Sequence, residues 1–147
     1  MASRADYSSL KNTLSRFLNP EQISLVTRHL AQLGNAIFVF EAAGGADDDV
    51  AARFIFSRNK LTPVIAELRE ELSYAANAGQ TADAATMLDQ LEELCSDGLT
   101  QFQKAYEREY DGLTGRARTV TLRRAVRMVK MVLKGLSADR RVIVVLD

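Results

Sequence analysis

The chain is 147 residues long, 47% hydrophobic and 26% charged, with nineteen bases against nineteen acids. That composition is close to ordinary globular values and does not indicate disorder, and a single cysteine excludes an internal disulfide framework or a cysteine-rich zinc site; no run of roughly 18 apolar residues is present to cross a membrane as a helix. The zero net charge conceals a sorting: residues 41–111 carry fifteen acids and six bases, whereas residues 112–147 carry nine bases and two acids.

Long amphipathic stretches with little proline or glycine predict an all-α protein, a single helical domain over 1–147 folded as a compact bundle of five or six helices. A first helix is expected near 7–18, with Tyr7, Leu10, Leu14 and Phe17 on one face. Asn19-Pro20-Glu21-Gln22 then restarts the chain: Asn19 can cap, Pro20 suits the first helical position, and Gln22 can reach back to the cap's N–H. Behind it Ile23, Val26, Leu30, Leu33, Ile37 and Phe40 form a helical seam, ended by Gly44-Gly45. Asp47, Asp48 and Asp49 suit the positive end of a next helix, which is expected to be short, about 48–60, because Thr62-Pro63 reads as a fresh cap and first turn.

Leu61, Ile65, Leu68, Leu72 and Ala75 make the following seam, closing at Asn77-Ala78-Gly79. Thr81 and Asp83 open a helix through Leu88, Leu91, Leu94 and Cys95, with Ser96-Asp97-Gly98 expected to kink or interrupt it before Phe102, Tyr106 and Tyr110. Gly112 and Gly115 read as a joint, and a basic helix is expected over roughly 118–136. Segments 37–40 and 54–56 are strand-like and flank a glycine-rich turn, so they read as helix or hairpin; the seam through Phe40 favours helix. Val142, Ile143, Val144, Val145 and Leu146 read as a short apolar strand or tail whose bare edge needs a partner, which marks them as a self-association segment.

The basic helix carries the main functional expectation. At about 100° per residue, Arg116, Arg123, Arg127, Lys130 and Lys134 fall within an arc of roughly 60°, with Arg124 at its margin, and Leu122, Val126, Val129, Val132, Leu133 and Leu136 occupy most of the rest. Such a ridge can be a solvated face balanced by nearby acids, can meet an acidic protein surface, or can follow a phosphate backbone. No aromatic residue follows Tyr110, which removes base stacking and leaves backbone contact only. Glu67, Glu70 and Glu71, with Asp89, Glu92 and Glu93 on the next helix, offer an acidic mate within the same chain.

Other constellations point to structure. Two carboxylate-bearing helices suggest a di-metal bundle, but that needs a Glu-x-x-His pair on each of two helices, and this chain has one histidine. The loop from Ala43 to Asp49 lacks a lysine for phosphate and the alternating carboxylates for calcium. Cys95 lies within an apolar stretch and is expected as a buried small hydrophobe. One histidine on a bundle helix, in Thr27-Arg28-His29-Leu30, resembles the histidine-phosphotransfer domains. That family carries Lys and Gly where this chain has Gln32 and Leu33, so the resemblance departs at the positions that accommodate a phosphoryl group.

No catalytic residue, metal or cofactor is therefore expected. The reading is a non-enzymatic self-assembling or adaptor protein that docks through Arg116, Arg123, Arg124, Arg127, Lys130 and Lys134 onto an acidic protein surface, its own or a partner's. The alternative is a nucleic-acid-backbone binder of nucleoid or capsid type, and a third reading is the phosphotransfer domain. Membrane association is not favoured. The start of the chain has no apolar leader stretch, so a cytoplasmic location is expected.

Overall fold

The start of the second helix is written by local polar chemistry. Asn19 Oδ1 accepts from the Gln22 backbone N–H at 2.9 Å, and the Asn19 backbone N–H donates to Gln22 Oε1 at 2.8 Å. This reciprocal box satisfies two donors that the first turn would otherwise leave open, and Pro20 sits where its missing N–H costs nothing. From it runs α2, Pro20–Ala42. The computed structural model describes residues 6–42, 48–75, 78–107 and 115–137.

Within those residues the order is α1 (Ser8–Leu14), α2, α3 (Asp48–Tyr74), α4 (Ala78–Glu93), a π-helical segment (Leu94–Thr100), α5 (Gln101–Tyr106) and α6 (Gly115–Leu136). Helix α4, the π segment and α5 run on without a break, so the described residues form five helical rods, and no strand occurs among them. Both strand-like segments, 37–40 and 54–56, are helical: Ile37, Phe40 and Phe54 face inward, while Phe38 and Phe56 remain exposed. The apolar segment 142–146 lies outside the described residues, as do Gly44-Gly45 and Gly112.

Two expected breaks are absent. Helix α3 passes through Pro63 instead of restarting there. Pro63 is exposed, so the Asn59 carbonyl that loses its amide partner faces water, while Leu61, Val64, Ile65 and Leu68 stay buried on the other side. The inward seam outweighs the local helix-start signal. At Ser96-Asp97-Gly98 the rod widens into a π turn rather than ending, and Thr100 Oγ1 donates to the Cys95 carbonyl five residues back at 2.7 Å.

The rods share one continuous core. Phe102 lies at its centre, with its ring 4.6 Å from Phe54 of α3 and 5.8 Å, edge-on, from Phe40 of α2. Leu10, Leu14, Leu30, Leu33, Leu61, Leu68, Leu91 and Leu94 around it are wholly buried, each worth about 1.5–3 kcal/mol of transfer free energy. Helix α6 lies against the π segment, α4, α5 and α2, with Leu122, Val126, Val129, Leu133 and Leu136 turned inward.

Candidate functional site

Helix α6 has seven basic side chains and no acidic one between Gly115 and Leu136. Its apolar stripe is buried, and the cations outside that stripe differ in exposure. Arg116, Arg123, Arg124 and Arg127 are exposed; Lys130 and Lys134 are only half-exposed. The Lys130 ammonium leans toward α2 and lies 3.6 Å from the Glu41 carboxylate. Among the described residues, Arg116, Arg123, Arg124, Arg127 and Lys134 form no ion pair. The structure thus brings the expected ridge together on one face, and draws Lys130 partly out of it.

Three contacts fix which way that face points. At the start of α6, the Arg118 Nε donates to the carbonyls of Ala105 at 2.9 Å and Tyr106 at 3.1 Å, its terminal nitrogen also reaches the Tyr106 carbonyl, and its guanidinium lies 5.0 Å from the Tyr106 ring centre. These carbonyls end α5, where the helix dipole is negative and a cation is favoured. Midway, Gly98 of the π segment meets Val129 so closely that a Cβ there would stand 2.6 Å from Val129 Cγ2. At the far end the Ser137 hydroxyl donates to the Asp6 carbonyl at 3.3 Å. Gly115 starts the helix with φ +54, a left-handed backbone suited to glycine.

The solvent face of α6 is not purely basic. Val120 is 41% exposed and Met131 61%, flanking Arg124 and Arg127. Sequence reasoning missed both, although each lies outside the apolar arc by angle. It also missed the role of Arg118, whose one signal was a cation placed inside that arc.

The acidic residues do not gather into a single mate for α6. Glu67, Glu70 and Glu71 are exposed on α3 and border an open recess of about 370 Å³ with Phe17, Leu18, Asn19 and Gln22. Glu92 lies on the opposite flank of α3, paired with Arg69. No ion pair joins α6 to Glu67, Glu70 or Glu71 among the described residues.

His29 is 2% exposed, and its Nδ1 is 3.0 Å from the Ser57 hydroxyl of α3. Its ring packs 5.6 Å from Phe56. Burial lowers its pKa, and Arg28 and Lys60 push the same way, so the neutral ring is favoured. A phosphoryl acceptor must meet its carrier at the surface, which this position does not allow. Cys95 is buried with its thiol pKa pushed up to about 11 by desolvation, leaving little thiolate near neutrality. Among the described residues no group of three or more His, Cys, Asp or Glu converges in a way that could hold a metal ion, and no helix is long and apolar enough to cross a membrane.

No protein-family model, curated protein or solved structure matches the chain.

Proposed function

We propose that this protein is non-enzymatic and acts by assembly in the cytoplasm, the exposed basic face of α6 docking onto an acidic protein surface, in the first instance that of another copy. One observation carries the reading: Arg116, Arg123, Arg124 and Arg127 stand exposed with no ion pair among the described residues, on the same face as exposed Val120 and Met131. A face balanced within its own fold needs no partner, and among the described residues nothing pairs with these four arginines. A phosphate backbone rewards the cations alone and gains nothing from valine or methionine, whereas a protein surface can meet both. A bilayer would need the apolar stripe of α6, which the core already occupies.

The test is a pair of anisotropy titrations at about 50 mM salt, one following labelled chain against unlabelled chain and one following labelled duplex DNA. The reading expects self-binding that weakens at about 500 mM salt and no comparable binding of the duplex. Tight duplex binding with a log–log salt slope of about −3 or steeper, and no self-binding, would replace it with the nucleic-acid reading.

A further inference from the structure

The reading above leaves open which acidic surface α6 meets, and a match between two faces of this chain supplies it. On α6, Val120, Arg124, Arg127 and Met131 follow one another at spacings of four, three and four, within an arc of about 60°. On α3, Pro63, Glu67, Glu70 and Tyr74 repeat the same spacings within an equal arc of about 60°. All eight are exposed, Tyr74 at 76% and Met131 at 61%. Each stripe therefore reads apolar, charged, charged, apolar over about 16 Å of helix, with opposite charge on the two helices.

We propose that the α3 stripe Pro63, Glu67, Glu70 and Tyr74 is the surface on which α6 of a second copy docks. In register, Arg124 and Arg127 lie opposite Glu67 and Glu70, with an apolar contact closing each end of the charged pair. The spacing reads the same from either direction, so the charges meet whether the helices run parallel or antiparallel. A parallel arrangement also sets the Met131 thioether on the Tyr74 ring, a favourable sulfur–aromatic contact, and is the one assigned here. Because the two stripes differ, each copy both donates and accepts. Each copy thus carries both halves of the contact, which closes a two-fold pair where the two stripes meet reciprocally and otherwise runs head-to-tail into a ring or a filament. The proposal rests on the assembly reading and adds the acceptor face to it.

The experiment uses the full chain in two charge-reversed forms, Arg124→Glu/Arg127→Glu and Glu67→Lys/Glu70→Lys, with mass read by light scattering at about 50 mM salt. Alone, each variant sets like charges against each other and is expected to be monomeric. Mixed in equal amounts, each altered face meets its complement on the other variant and assembly returns, to the wild-type mass where the number of copies is even. All four positions are exposed, and far-UV circular dichroism and melting verify that both variants fold; the glutamine forms at the same positions serve if either does not, and each is expected to weaken assembly at least tenfold. A mixture of folded variants that stays monomeric overturns the α3 assignment. So does a Glu67→Lys/Glu70→Lys chain that assembles like wild type while Arg124→Glu/Arg127→Glu does not, and in that case the assembly reading survives. A wild-type chain that is itself monomeric removes both.

Discussion

Replacing Gly98 by alanine probes the crossing that sets the direction of the basic face. The added methyl would lie 2.6 Å from Cγ2 of Val129, a residue with no exposed surface in the middle of α6. Apolar carbons pack at about 3.5–4 Å, so α6 must shift by roughly 1 Å or Val129 must leave its rotamer. Such overpacking costs about 1–3 kcal/mol, and the Gly-to-Ala change in a helix returns about 0.5–1 kcal/mol. The net expectation is a loss of about 1–2 kcal/mol, or roughly 3–8 °C in Tm for a chain of this size. In urea the midpoint falls while the slope stays constant. Val129→Ala alone costs about 2 kcal/mol; in that background the Gly98 methyl occupies vacated space and becomes neutral or slightly stabilising. The two changes thus couple by about 1–3 kcal/mol. Equal cost in both backgrounds, or a wild-type chain made more stable by Gly98→Ala, would refute the close crossing and the orientation of α6 drawn from it.

Three further outcomes follow from the same geometry. Asn19→Ala removes one half of the capping box and lowers unfolding free energy by about 0.5–2 kcal/mol in urea titration, with no change in assembly. Arg118→Ala uncovers the Ala105 and Tyr106 carbonyls and costs about 1–3 kcal/mol in the same assay, and Arg118→Lys recovers less than half because an ammonium cannot reproduce the guanidinium fork. For His29 the folded pKa lies below the unfolded value of 6.5. Below that pH the unfolded chain binds more protons, so its contribution is present in full above about pH 6.5 and is lost as pH falls, by at most about 1.4 kcal/mol per unit. Urea midpoints of wild type and His29→Gln from pH 7.5 to 5 are therefore expected to converge toward low pH; a constant difference would contradict a buried neutral ring.

Much of this fold was legible because its determinants are local. The Asn19–Gln22 box and the seam from Ile23 to Phe40 are short-range patterns, and both were read with their residues. The ridge on α6 was readable for the same reason: helical angle alone separates Arg123 and Arg127 from Leu122 and Val126. What was not legible depends on residues far apart in the chain. Pro63 looks like a helix start until the buried seam on both sides of it shows that the helix continues. Gly98 looks like a breaker until Val129, 31 residues later, crosses it. Glu67 and Glu92 look like one acidic cluster until α3 stands between them, with Arg69 turned toward Glu92. His29 gives no sign in its own helix that Ser57 lies beside it.

Light scattering across a salt series decides the proposal that the exposed arginines of α6 hold copies together. Wild type and Arg124→Glu/Arg127→Glu are compared at about 50 mM and about 500 mM salt, where the screening length falls from roughly 14 Å to roughly 4 Å. The account predicts a wild-type mass of several copies at low salt that drops toward one copy at high salt, and a variant that is a single copy throughout. A wild-type chain that is one copy under every condition, or a variant that assembles as wild type does, would contradict it.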